Sequence, residues 1–168
     1  MPRRAGFWVI LQLMAKTAQP ARMLAVNRRA RREYEILDKL EAGLVLAGTE
    51  VKSARAGKVQ LKDSYVEVRD GEAFLVGAHI SHYTHGNRQN HEPERPRKLL
   101  LKRREIDRIF GKTTIQGLTC VPLAVYLKGR HIKVEIAVAR GRKLHDKRLA
   151  EKKKVLDREA QEAISARG

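Results

Sequence analysis

The chain has a single cysteine, Cys120, among its 168 residues, so no intrachain disulfide can form and a reducing compartment suits it. Aromatic residues make up only 5% of the chain, too few for the ring platforms on which indifferent single-strand binders stack bases. No apolar run approaches the roughly 20 residues that a membrane-spanning helix needs. No internal repeat, glycine-rich phosphate cradle or serine–histidine–acid arrangement is present. Acids are also scarce: 19 Asp and Glu against 36 Lys and Arg leave a net charge of +17. That balance calls for a polyanionic partner, though charge alone does not separate nucleic acid from an anionic membrane. With so few rings, a folded RNA read by backbone, shape and 2′-hydroxyls fits better than a bare single strand.

What is there divides into three parts. Residues 1–25 read as an extension upstream of the domain, expected to be disordered. Within it Arg3-Arg4 precede the apolar stretch Phe7–Met14, which superficially resembles an export signal but is too short to span a bilayer and lacks a clear small-residue cleavage site. The first 32 residues hold eight Lys or Arg and no acid, the composition of a flexible basic arm, and order is expected to begin near Tyr34. Residues 26–140 form the expected domain, and 141–168 a basic tail.

Within the domain, Glu35 to Leu46 reads as a strand pair or one bent strand, with a bulge or turn at Gly43. Thr49 to Gly57 reads as a short helix with Thr49 as N-cap, Glu50 in the first turn and Gly57 as the stop. Ser64–Arg69 and Glu72–Ile80 alternate as strands about a tight Asp70-Gly71 turn. Residues 81–98 read as an exposed loop. Leu101–Phe110 has helical spacing ended by Gly111. Leu118–Leu127 and His131–Ala139 form a hairpin, with Pro122 implying an edge strand or a bulge. The expected class is mainly β with short helices: an oligonucleotide-binding-type antiparallel barrel of about six strands, which buries one face of each strand and hides the edges. The tail is helix-permissive but has too few apolar residues to pack on the barrel, so it reads as disordered until it meets its partner.

Two constellations suggest chemistry and do not sustain it. His79, His82 and His85 have metal-like spacing, but the first ends a strand, so they diverge, and no cysteine lies near. Glu41, Glu50 and Asp63 are the acids a metal-dependent nuclease would use, yet each has basic neighbours and no carboxylate motif repeats. No cofactor, metal or catalytic residue is expected. The basic clusters are the stronger signal: Asn27–Arg32, Arg95–Lys98, Lys102–Arg104, and a run from Arg140 to Arg148 continued by Lys152, Lys153 and Lys154. They contain few acids, unlike an ordinary solvated face, and phosphate contacts from them would make binding steeply salt-dependent.

Several motifs occur in a fixed order: Asn27-Arg28-Arg29-Ala30-Arg31, Tyr34-Glu35-Ile36, Glu41-Ala42-Gly43, Gly48 to Ser53, Asp63-Ser64-Tyr65, Arg97 to Leu101, and Asp146-Lys147-Arg148. Over about residues 26–154 this order resembles the small protein B family, the transfer-messenger RNA-binding proteins of bacterial trans-translation. The resemblance implies a non-catalytic adaptor that binds the tRNA-like domain of transfer-messenger RNA and carries it to stalled ribosomes. Elongation factor Tu and alanyl-tRNA synthetase would be met through that RNA, and the chain would act in the cytoplasm as a monomer with no membrane contact. Carried over residue by residue, RNA contacts are implied for Asn27, Arg28, Arg29, Arg31, Glu41, Glu50, Lys52, Lys98, Leu100, Gly141, Arg142 and Lys143. His145 would stack in the empty decoding centre of the small subunit, with Asp146, Lys147, Arg148, Lys152, Lys153 and Lys154 directing the tail into the messenger channel. Three departures stand out: Arg32 where a histidine is common, Leu156 near where many members carry Trp, and a first 22 residues that match nothing in the family. The rival from the residues alone is a generic ribosome-associated RNA chaperone without a dedicated partner.

Overall fold

The computed structural model describes residues 21–142 and 144–165. Strand β1 (Arg22–Val26) leads into a one-turn-and-a-half helix α1 (Arg28–Glu33) and the long strand β2 (Tyr34–Leu44). Helix α2 (Gly48–Arg55), the short strand β3 (Val59–Gln60), the hairpin β4 (Tyr65–Arg69) and β5 (Glu72–Val76), and the short β6 (His79–Ile80) follow. After a loop come β7 (Arg97–Leu100), helix α3 (Arg103–Phe110), the hairpin β8 (Thr119–Lys128) and β9 (His131–Gly141), and helix α4 (Leu144–Ser165).

All pairings are antiparallel, in the order β1-β8-β9-β2-β7-β5-β4, with β3 and β6 forming a separate two-stranded sheet. The mainly β class is as the sequence indicates. The six strands from β8 round to β4 curl until β4 packs against β8. No ladder joins that seam among the described residues, so the strands curl as a barrel does without a hydrogen-bonded closure.

Alternation explains the core. On β9, Ile132, Val134, Ile136 and Val138 point into the main cluster with Leu75, Leu99 and Ile109. From Ile136 to Ala139 both faces are buried, because Ala137 and Ala139 meet Ala30 of α1 together with Val121 and Leu123 of β8. Small residues on that second face let a helix lie directly on the sheet.

Local turn chemistry holds where it was read. Asp70 (φ 51°) and Gly71 (φ 75°) are both left-handed, as a tight primed hairpin turn demands, and Gly57 (φ 75°) ends α2. Pro122 sits beside a register shift between Pro122 and Ala124 on an interior strand, so the bulge option applies and the edge option does not.

Elsewhere the structure corrects the sequence reading. Ordered structure already includes Arg22–Val26, ahead of Tyr34, since these residues find a partner in β8, so residues 22–25 belong to the fold and not to the extension. Residues 1–20 of the expected extension lie outside the described residues. The bulge in β2 falls between Ile36 and Asp38, whereas Gly43 stays in register opposite both Lys133 and Leu100. A Cβ at Gly43 would come within 3.2 Å of the Leu100 side chain, which is the close approach that needs glycine there. Ala47, not Thr49, is the N-cap of α2, with Glu50 Oε2 accepting from the Ala47 amide at 2.7 Å. Gly111 is the C-cap that ends α3, as expected, and the chain runs on from it as a π-turn over Gly111–Ile115. The loop after β6 is not wholly exposed: His91 and Arg97 are buried. Residues 144–165 form a helix where disorder off the partner was expected. Its helicity is local: Leu149, Val155, Leu156 and Ile164 remain exposed, while pairs such as Arg158–Glu162 (2.9 Å) support the turns.

Candidate nucleic-acid interface

The basic motif on α1 is built around two inward residues. Asn27 is buried at the N-cap: its Oδ1 accepts from the Ala30 amide (3.0 Å), and its Nδ2 donates to the carbonyls of Leu61 (3.1 Å) and Pro122 (3.0 Å). Ala30 is buried one turn on. With those two positions turned to the sheet, Arg28, Arg29, Arg31 and Arg32 all face outward. A run that reads as featureless charge is thus a one-sided display.

These arginines and the start of α4 enclose a cleft of about 470 Å³, lined by Arg28, Arg29, Arg31, Arg32, Arg142 and Lys154, with Glu151 the one acid among the described residues. Arg142 is fixed by its amide donating to the Glu33 carbonyl at 2.9 Å. Arg32 reaches Glu151 at 3.7 Å, linking α1 to α4. Arg29 is partly neutralised by Glu33 (2.9 Å) and Asp63 (2.7 Å), and Arg31 lies 3.9 Å from Glu135. Arg28 has no acidic partner among the described residues. Exposed pairs of this kind contribute little stability, so the guanidinium groups can exchange them for phosphates at small cost.

Glu41 and Leu100 lie elsewhere. Glu41 on β2 accepts from Tyr126 Oη at 2.5 Å and from Lys128 Nζ at 3.2 Å. The phenol hydrogen bond, with help from Lys128, holds its carboxyl below the ordinary carboxylate range, so it is an anion at neutral pH. Leu100 is 57% exposed and rims a recess with Gly43, Leu44, Val51, Arg130 and Lys133. Sequence reasoning passed over Arg130 and Lys133; the β8–β9 turn Lys128-Gly129-Arg130 was the available signal. Lys98 pairs with Glu72, and the Lys52 ammonium lies 5.2 Å from the Tyr83 ring centre. Gly141 is exposed opposite Tyr34.

Glu50 does not join this surface. It is fully buried, and four donors converge on it: Arg95 Nε (2.8 Å) and Nη2 (2.6 Å), Arg97 Nε (2.9 Å) and the Ala47 amide. Arg97 is also fully buried and donates to the carbonyls of Ala78 (2.7 Å) and Pro93 (2.8 Å). Burial pushes the Glu50 pKa up, but the arginines and the amide outweigh it and leave the group below its ordinary range. Burial lowers that of Arg97, against the charge of Glu50. Arg95, Arg97 and Glu50 therefore staple α2, the loop and β7, and two cations of one predicted basic cluster are spent on the scaffold.

The three suspect acids are far apart in role: Glu41 with Tyr126 and Lys128, Glu50 with two arginines, Asp63 with Arg29. His79 lies 3.5 Å from Glu94, His82 packs edge-on against His91, and His85 against Tyr83, so the spaced histidines diverge. Cys120 is buried, and its thiol is pushed up to about 12 by burial and by the charge of Asp38. No described helix is long and apolar enough to cross a membrane. On α4, Arg148, Lys152, Lys153 and Lys154 fall in the first half of the helix. Lys143 lies outside the described residues, as do the side chains of His145, Asp146 and Lys147.

The matching family model is that of the SmpB protein, over residues 24–166. The chain is 51% identical over 146 residues to the SsrA-binding protein of Carboxydothermus hydrogenoformans, covering 87% of this chain and 98% of that protein. It is 54% identical over 143 residues to that of Syntrophobacter fumaroxidans, covering 85% and 89%. A solved chain described as "tmRNA-SmpB: a journey to the center of the bacterial ribosome" is 46% identical, with a TM-score of 0.62 over 75% of this chain and 87% of that one. Motif order, one-sided arginine helix, sheet topology and these likenesses agree: the chain belongs to the SmpB protein family.

Proposed function

We propose that the protein is an RNA-binding adaptor which holds the tRNA-like domain of transfer-messenger RNA and delivers it to stalled ribosomes. The observation that carries this reading is the arginine display on α1, set at the base of a tail helix whose first half is basic. Relatives that share half of its residues are named SsrA-binding proteins, and the solved relative is a tmRNA–SmpB complex by its description.

In this reading Arg28, Arg29, Arg31 and Arg142 grip phosphates in the cleft, Lys143 adds a further phosphate contact, and Lys52, Lys98, Leu100, Glu41 and Gly141 meet the RNA along the sheet. Leu100 offers an apolar contact, and Glu41 an acceptor for a base amino group or ribose hydroxyl. Asn27 and Glu50 act through the scaffold: one fixes the α1 display, the other the α2 and β7 surfaces. Nothing in the role asks for bond chemistry, a metal or a cofactor. The tail then enters the decoding centre vacated by the missing anticodon arm. There His145 presents a π-face and a donor, Asp146, Lys147 and Arg148 set direction, and Lys152, Lys153 and Lys154 follow ribosomal RNA phosphates. Elongation factor Tu and alanyl-tRNA synthetase are reached through the RNA, and the adaptor works as a monomer in the cytoplasm.

The test pairs two assays on the full chain. Binding should prefer transfer-messenger RNA over bulk tRNA at moderate salt; equal affinity would favour the chaperone reading. Truncation after Lys143 should leave RNA binding largely intact and abolish peptide tagging on stalled ribosomes, and equal loss of both would sink the division of labour. His145→Ala should slow accommodation or peptidyl transfer without weakening binding to free RNA; unchanged rescue kinetics would remove the stacking role.

A further inference from the structure

Helix α4 changes character at its middle. Arg148, Lys152, Lys153 and Lys154 lie in its first half, whereas residues 155–165 hold Asp157, Glu159 and Glu162 against the single cation Arg158. Every residue from 155 to 165 is exposed, including Leu156 at 63% and Ile164 at 74%.

At about 100° per residue, Leu156, Ala160, Ala163 and Ile164 fall on one stripe of this half. Asp157 flanks the stripe on one side and Glu159 on the other; neither has an ionic partner among the described residues. Arg158 and Glu162 lie on the opposite side and are tied to each other at 2.9 Å. That opposite side continues towards Glu151 and Lys154, which face α1 across the arginine cleft. The stripe is therefore turned away from the body of the protein, and its flanking acids are without ionic partners among the described residues.

A phosphate-following surface would not carry unpaired acids beside its contact line, since like charges set against RNA oppose binding. A membrane with anionic headgroups is disfavoured by the same acids. We propose that the distal half of α4 is a protein-docking surface: its apolar stripe sits in a shallow groove of a ribosome-bound protein, with lysines or arginines on both rims to meet Asp157 and Glu159. Ala160 and Ala163, between the larger ends of the stripe, let the partner's backbone come close. The inference rests on the ribosomal reading of the tail and divides that tail into an RNA-following half and a protein-docking half.

A photo-crosslinking residue replaces Ala160 in one full-length protein and Lys153 in another, each loaded with transfer-messenger RNA onto ribosomes stalled without message. Position 153 should crosslink to ribosomal RNA, and position 160 to a ribosomal protein through a segment rich in Lys and Arg. Asp157→Lys with Glu159→Lys should lower the protein crosslink about tenfold while leaving the crosslink from position 153 and the binding of free transfer-messenger RNA unchanged. A crosslink from position 160 to RNA or to a second copy of the chain would overturn the proposal, as would none at all while position 153 still reacts. Loss at both positions would overturn the ribosomal reading itself.

Discussion

Two clusters of arginine and glutamate in this protein have opposite fates. Around Glu50, Arg95 and Arg97 are drawn inward, with Arg97 and Glu50 both fully buried and each guanidinium nitrogen of Arg97 and carboxylate oxygen of Glu50 hydrogen-bonded. In the α1–α4 cleft, Arg28, Arg31 and Arg32 remain on the surface, and their contacts to acids are absent or long: 3.9 Å for Arg31 and 3.7 Å for Arg32. The same side chain is a structural staple in one place and an available phosphate ligand in the other. Net charge cannot tell them apart, and only the geometry of the partners does.

Breaking the buried side should have the largest effect. Arg97→Ala leaves Glu50 short of a donor in a dry site and should destabilise the protein by about 3–5 kcal/mol, read as a fall in thermal midpoint. RNA affinity should fall with it, through the contacts on α2 and β7 that this staple positions. Asn27→Ala comes next: it removes a helix cap and takes a side-chain donor from the carbonyls of Pro122 and Leu61, the latter keeping Ser64, at about 2 kcal/mol. Because α1 then loosens, RNA binding should fall through the arginine cleft instead, with a larger loss of salt slope than in Arg97→Ala.

Acid titration sharpens the contrast further. The folded-state pKa of Glu50 is depressed, so its contribution is complete above the ordinary glutamate range and is lost as pH falls through the lower folded value. Denaturant midpoints measured down through that range should decline, and Glu50→Gln should flatten the decline while starting from a lower plateau. The smallest effect belongs to an exposed pair: Lys98→Ala, which breaks the contact with Glu72, should cost no more than about 0.5 kcal/mol and lower the salt slope of RNA binding by about one contact.

The legibility of the sequence follows the range of the interactions. Asp70-Gly71, Gly57 and the bulge beside Pro122 were readable because each is set by local backbone chemistry. The motif order exposed the family for a similar reason, being a property of the chain itself. The burial of Arg97 was not readable, because its partner Glu50 lies 47 residues away. Nor was the inward turn of Asn27, which is answered by carbonyls 34 and 95 residues distant. Strand β1 was missed because its pairing with β8 supplies what its own short, basic-flanked sequence does not announce. Of the candidate interface, Arg28, Arg29, Arg31 and Arg142 do come together, joined by Arg32 of the same basic cluster, whereas the Arg130–Lys133 rim is added by the fold.

The claim that the α1–α4 cleft is the phosphate grip is tested most directly by the salt dependence of transfer-messenger RNA binding for a variant carrying Arg28→Ala, Arg31→Ala and Arg142→Ala. Each lost contact should remove about 0.7–0.9 from the slope of log affinity against log salt, with the thermal midpoint unchanged. An unaltered slope in a folded variant would contradict the account.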